Sequence, residues 1–313
     1  MEEGGKAVAD AGASGTKTGT SLKQKLSSFY DRRYKQLLII PVILFLLSFA
    51  VIGYNQLAKG EVIGRDVSLK GGVTITITTA AEPQALEHKL AGSFQDVSVR
   101  TVTQGGKQVA LIVDASATTT EEIAALTHTI ESTTGVSRNQ YAVQVIGSAL
   151  GASFFRQALI AVALAFAFMG ITVLLYFRNI VPALFVILSA FGDILMPFSL
   201  LALLGVKLST AGLAAFLMLI GYSVDTDILL TTRVLRAKEG TLHDRIVGAF
   251  RTGITMTLTA LVAVLVGYFV SQSDVIKQIM LVLSVGLVFD IINTWITNAG
   301  ILRWYLERKQ GAH

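Results

Sequence analysis

Four aspartates stand inside runs that are otherwise apolar. Asp193 lies in FVILSAFGDILMPFSLLALL, Asp225 and Asp227 in LSTAGLAAFLMLIGYSVDTDILLTTRVLR, and Asp290 in IMLVLSVGLVFDIINTWITNAGIL. Each run is long enough to cross a bilayer as one helix, since about 20 residues span about 30 Å of hydrocarbon. A carboxylate near the middle of such a helix costs about 2.5–3.5 kcal/mol on insertion scales. A cost met four times points to acids that converge in the interior of one helix bundle. A carboxyl group has a reference pKa of about 3.9, and desolvation favours its neutral form. A buried acid can therefore trade a proton near neutral pH, and an arginine nearby competes with that proton. One charge moved through 100 mV supplies about 2.3 kcal/mol. That chemistry is a proton relay.

The neighbours of these acids are spaced for helix faces. Asp290, Asn293, Thr294 and Thr297 fall at i, i+3, i+4 and i+7, on one face. Arg251, Thr255 and Thr259 form a second stripe. Ser223 and Asp227 share a face of the fourth run, and Gly221 lies beside Asp225. Asp225 and Asp227 are two positions apart and so point about 200° away from each other. One faces the bundle centre and the other a neighbouring helix or the cytoplasmic interface, which Asp227 is the better placed to reach. Polar stripes at this depth must pack inward or line water. For the Asn and Thr residues the plainer reading is helix–helix hydrogen bonding, at about 0.6 kcal/mol per bond.

The elements that hold these residues follow from composition. The 313 residues are 52% hydrophobic and only 15% charged, with a mean hydropathy of +0.62. Soluble domains run nearer a quarter charged, so the chain is a membrane protein. There is no cysteine and the four histidines are scattered, which excludes a disulfide framework and a thiolate metal site. His128 reads as a solvated residue. No Walker or G-x-G-x-x-G spacing surrounds Gly71-Gly72, which reads as a turn. No nucleophile motif or metal cluster is present, so neither an enzyme nor a cofactor is expected. The net charge of +5 does not indicate nucleic acid, because the basic residues flank the apolar runs.

In chain order, 1–20 is a Gly/Ala/Thr/Ser-rich tail and 21–36 a basic stretch, together a cytoplasmic N-terminal segment. A first span follows over 37–54; its length, with no small-residue cleavage site after it, favours a span over a signal peptide. Residues 55–155 change character. VTITITT (73–79) reads as a strand, 82–94 as a helix, and Asp96–Thr103 and Gln108–Asp114 as strands joined at Gly105-Gly106. TTTEEIAALTHTIESTTG (118–135) is a capped helix, and Tyr141–Ile146 a closing strand. The order β-α-β-β-α-β predicts a ferredoxin-like α+β domain between the first two of six transmembrane helices. The remaining five helices occupy 156–303, before a C-terminal tail over 304–313. Pro41, Pro182 and Pro197 start or kink helices. With a cytoplasmic N-terminus, fourteen Lys and Arg residues fall on the cytoplasmic side and only Lys207 and Lys277 in the short outer loops. Both termini are then inside and 55–155 is outside.

Several stretches carry a family resemblance. GYSVDTDILLTTR (221–233), with Gly221, Tyr222, Ser223 and Arg233, is similar to the fourth-span signature of the SecF family of protein-export membrane subunits, most closely its archaeal branch. LKGG (69–72) resembles that family's Gly-Gly motif with Gly71 and Gly72. IGSALGASFFRQALIAV (146–162) resembles its Gly-x-x-x-Gly approach to the second span, and Arg251-Thr252 its fifth-span opening. The resemblance covers about residues 30–305. It implies the fold of the resistance-nodulation-division transporters and a heterodimer with SecD beside the SecY-type channel in the cell membrane. It also implies help in preprotein translocation, driven by the proton gradient, with a fourth-span acid paired to Arg251. Many members read Asn-Asp-Thr where this chain reads Asp225-Thr226-Asp227, and have an aspartate where Thr232 stands, so either Asp225 or Asp227 takes the acid's role. The alternative is a subunit of a proton-driven small-molecule or ion exporter on the same scaffold. The small outer domain, with Phe94 and Tyr141 as its clear aromatics, speaks against that.

Overall fold

The computed structural model describes residues 33–104, 107–236 and 240–310. The expected tail over 1–20, the basic stretch as far as 32, the Gly105-Gly106 turn and Lys238 lie outside these. Among the described residues, six helices are long and apolar enough to cross a membrane. The first, α1, is Ile39–Lys59, ended by Gly60 in the left-handed region. It leads through a short helix, α2 (Val67–Lys70), into the α+β domain.

That domain runs β1 (Gly72–Ile77), α3 (Pro83–Ala91), β2 (Ser98–Gln104), β3 (Lys107–Ala115), α4 (Thr120–Thr134) and β4 (Tyr141–Ile146). The sheet order is β2-β3-β1-β4, with every neighbouring pair antiparallel. This is the ferredoxin-like arrangement that the element order implies. Alternation explains its core: Val73, Ile75 and Ile77 point to one face, beside Ala115, Val113 and Leu111 of β3. The helices cover that face with i, i+4 pairs, Leu86 with Leu90 and Leu126 with Ile130. Helix α4 starts in a capping box, in which Thr119 Oγ1 accepts from Glu122 N–H and the Glu122 carboxylate accepts from Thr119 N–H. Such a cap contributes about 1 kcal/mol.

Five long elements follow: α5 (Ser148–Phe177), α6 (Ile180–Leu203), α7 (Thr210–Arg236), α8 (Leu242–Val270) and α9 (Asp274–Ile292). The last continues through a π-helical turn, Asn293–Asn298, into α10 (Ala299–Gln310). The helix thus runs past 301, where hydropathy alone would end the span. The α+β domain meets this bundle where two glycine motifs touch. Gly71 has φ 87° and its backbone packs on Ser148; a Cβ on Gly151 would lie 2.5 Å from the Gly71 nitrogen. Only glycine allows both the left-handed turn and that approach. Beside it, Asp66 N–H donates to the Leu208 carbonyl and Leu208 N–H to the Gly64 carbonyl, each at 2.8 Å.

Inside the bundle, side chains segregate by depth. One apolar cluster, including Leu201, Leu208, Phe216, Leu219 and Val282, lies toward the α+β domain. A second, including Leu230, Val234, Ala249, Trp295 and Leu302, lies at the other end. Between these clusters α6, α7 and α9 each bury polar side chains at the same level, among them Ser189, Asp193, Ser223, Asp227, Asp290 and Asn293.

Candidate functional site

Three of the four aspartates meet in this polar layer. Asp193 is 1% exposed and Asp227 and Asp290 are 0% exposed, and each lies within electrostatic reach of another. Among the described residues none of the three forms an ion pair; hydroxyls and amides surround them instead.

Asp193, on α6, accepts from Ser223 of α7 on one oxygen. Its other oxygen accepts from Asn293 Nδ2 at 2.7 Å. Gly192 makes this possible, because a Cβ there would lie 2.9 Å from Asn293 Nδ2. Asp290, on α9, faces hydroxyls with both oxygens. Oδ1 lies 3.2 Å from Thr226 Oγ1 and 3.3 Å from Thr294 Oγ1, and Oδ2 lies 3.4 Å from Thr257 Oγ1 of α8. Asp227, on α7, takes both of its donors on Oδ1: Asn298 Nδ2 at 2.8 Å and Ser189 Oγ at 3.2 Å.

The π turn builds much of this. A helix of 3.6 residues per turn would centre its stripe on Asp290, Asn293, Thr294 and Thr297 and leave Asn298 at the edge, about 80° from Asp290. The wider turn at Asn293–Asn298 leaves Asn293, Thr294 and Asn298 all buried, while Thr297 is only half-buried. Asn298 was therefore outside the expected stripe, as were Ser189 and Thr257. Their one sequence signal is a polar residue within an apolar helix, level with the acids.

Asp225 and Asp227 lie on opposite faces, but the interior one is Asp227. The expectation that Asp227 reaches the cytoplasmic interface is corrected: α7 buries Leu219, Ser223, Thr226, Asp227, Leu230 and Val234 on one side. Asp225 shares its exposed stripe with Ala214, Met218 and Gly221. The inward packing expected of Arg251, Thr255 and Thr259 is corrected too. All three are exposed, because α8 turns Ile246, Ala249, Gly253 and Thr257 inward. Arg251 forms no ion pair with an acid among the described residues, so the pairing implied by the family resemblance is not made within this chain. Of the motif residues, Tyr222 is half-buried, Ser223 bonds Asp193, and Arg233 is exposed and donates to the Gly248 carbonyl at 2.8 Å. Thr226 points inward at Asp290.

A second polar region lies where the α+β domain meets the bundle, in a cleft lined by Arg65, Asp66, Lys70, Asp96, Asp114 and Lys207. Arg100 bonds Asp114 and also reaches Asp274 at the start of α9, 3.6 Å away. Burial, and then the nearby Asp114, push the Asp66 carboxyl up. The hydrogen bond from Lys70 at 2.7 Å holds Asp96 below the usual carboxylate range.

Known proteins match this architecture. The family described as protein export membrane protein SecD/SecF, C-terminal, matches residues 126–308. The protein-export membrane protein SecF of Methanocaldococcus jannaschii is 36% identical over 278 residues, covering 87% of this chain and 96% of that protein. That of Pyrococcus furiosus is 35% identical, covering 93% of this chain and 97% of its own length. The crystal structure of SecDF, a translocon-associated membrane protein from Thermus thermophilus, shares the fold with a TM-score of 0.69 at 19% identity. It aligns with 87% of this chain, which spans only 38% of the SecDF chain. The chain belongs to the SecF family of protein-export membrane proteins.

Proposed function

We propose that this protein is the SecF-type accessory subunit of a Sec translocase, and that it couples preprotein movement to the proton gradient through Asp193, Asp227 and Asp290. It works as a heterodimer with a SecD-like subunit beside a SecY-type channel, with both termini cytoplasmic and residues 55–155 outside. No chemical catalysis is needed for this role. The observation that carries the reading is three fully buried carboxyl groups at one depth, without a paired cation among the described residues. A carboxylate without a counter-charge is costly in low dielectric, and a proton is the simplest relief. Loading and unloading that proton changes which donors the carboxyl can hold, so helix positions can follow it.

The partner is supported by the outward stripe. Asp225 and Thr255 are exposed within apolar helices, and lipid offers such groups nothing to bond. A second helix bundle placed against α7 and α8 would cover them and supply what Arg251 and Asp225 lack here. The SecDF chain, of which this chain spans 38%, has the length for such a second half.

The test is export of a reporter preprotein into vesicles that hold the translocase, the SecD-like partner and this chain. Asp193→Asn, Asp227→Asn and Asp290→Asn are compared with and without a proton gradient. The proposal expects the gradient-dependent part of export to fall about tenfold or more in at least one variant, as loss of about 1.4 kcal/mol of coupling would give. Gradient-dependent export at the wild-type level in all three would defeat it.

A further inference from the structure

The three buried acids differ in how their oxygens are met. Asp193 and Asp290 have hydrogen-bond partners at both carboxyl oxygens. Asp227 has two donors on Oδ1, and no protein hydrogen-bond partner reaches its Oδ2. The Asn298 that donates to Oδ1 is likewise met at one end only: its own Oδ1 is buried without a partner. Both residues are 0% exposed. The Thr294 hydroxyl also lies beside the Asp227 carboxyl, but it has one proton to give and stands 3.3 Å from Asp290 Oδ1.

A carboxylic acid and a primary amide are complementary. The amide N–H donates to the carboxyl C=O, and the acid O–H donates to the amide C=O, closing a ring of two hydrogen bonds. Here the first bond exists at 2.8 Å, and the two atoms that the second would join are the two without partners. An ionised Asp227 cannot make that second bond, because a carboxylate only accepts. We infer that Asp227 carries its proton on Oδ2 as an acid–amide pair with Asn298, and that Asn298 is the positioning residue that senses its loss. The inference rests on the proton-coupled reading and assigns the atom and its partner.

Two consequences follow from the placement of Asn298. It closes the π turn and leads into α10. Deprotonation leaves two acceptors, the Asp227 carboxylate and the Asn298 carbonyl, facing one another, and the amide must turn or withdraw. The strain is delivered to the π turn, the segment of this helix with the least regular bonding. The titratable groups that face Asp227 are Asp290 of α9 and Asp193 of α6. The other elements on α7 present no charge to it among the described residues. Arg251 of α8 and Arg156 of α5 are exposed, and Arg303 of α10 bonds Glu307 at 2.8 Å.

The test exchanges the two groups. Asp227→Asn, Asn298→Asp and the double exchange are made in the full chain, reconstituted with its partner and the channel. Each single variant should lose most of the gradient-dependent export, and the double exchange, which rebuilds an acid–amide pair with the roles reversed, should recover a substantial part. A double variant no better than either single variant, with all three folded by thermal unfolding, overturns the inference. Acid-minus-alkaline infrared difference spectra of the chain in vesicles supply a readout that needs no export. The band of a protonated carboxyl, absent in Asp227→Asn, should move to higher frequency in Asn298→Leu as the acid loses its amide partner. An unmoved band also overturns the inference. Wild-type export that ignores the gradient while the band does move would instead defeat the coupling reading and leave the pair standing.

Discussion

Helix α7 carries two aspartates two residues apart, in surroundings that share almost nothing. Asp227 is sealed between α6 and the π turn, with Ser189 and Asn298 as donors. Asp225 stands on the opposite face beside Gly221, and a Cβ at that glycine would meet nothing within 4 Å. One face is covered within this chain and the other is exposed. The difference separates two roles that acids play in membrane helices. On the proposed reading, an interior acid is a working group with its own donors, and an exposed one marks a surface for a partner.

Removing an interior acid should cost the chain most. Asp193→Leu strands the Ser223 hydroxyl and the Asn293 amide, two buried donors at about 1–3 kcal/mol each. Unfolding in mixed detergent should then be easier by about 2–6 kcal/mol, whereas Asp225→Leu should stay within about 0.5 kcal/mol of wild type. Equal losses in the two variants would erase the distinction between the faces. Asp225→Leu should show its effect elsewhere, as weaker co-purification of the SecD-like partner.

The glycines sharpen the same contrast. Gly192→Ala drives a Cβ to 2.9 Å from Asn293 Nδ2 and should destabilise by about 1–3 kcal/mol through overpacking. Gly221→Ala, on the open face, should stabilise the isolated chain by up to about 1 kcal/mol through helix propensity. Melting temperatures of the two variants in one detergent check both signs.

The smallest effect lies in the α+β domain. Asp96 is held below its ordinary value by Lys70, so its share of stability is present above the unfolded carboxylate range and is lost as pH falls through the folded value. Lys70 is held above its ordinary 10.5, chiefly by the hydrogen bond to Asp96, so its share is lost as pH rises through that higher value. The pair should therefore hold from about pH 4 to about pH 10. Protease resistance of the domain should fall slightly outside that window, and Lys70→Met should flatten both limbs.

The sequence reading succeeded where the period of a pattern decides the structure. Alternation in VTITITT and the Thr119–Glu122 cap were enough to lay out the α+β domain. The same approach could not choose between Asp225 and Asp227. In a soluble helix the polar face is the outer one, but lipid and bundle interior are equally apolar, so Met218 and Leu219 carry no label for their side. Asn298 was missed for a different reason. It lies in a π turn, and a spacing rule built on 3.6 residues per turn leaves it at the edge of the stripe, away from its centre. Arg251, Thr255 and Thr259 do share one face, but it is the outer one, because the small residues Ala249 and Gly253 and the apolar Ile246 turn the other face inward.

The claim that the interior layer moves protons is tested most directly by proton flux. Vesicles holding this chain with its SecD-like partner, an interior pH dye and an imposed potential would report it. Asp227→Asn should abolish the potential-driven proton movement, while Asp225→Asn, with its partner still bound, should retain most of it. Flux that survives Asp227→Asn and disappears with Asp225→Asn would contradict the account and move the working acid to the outer face.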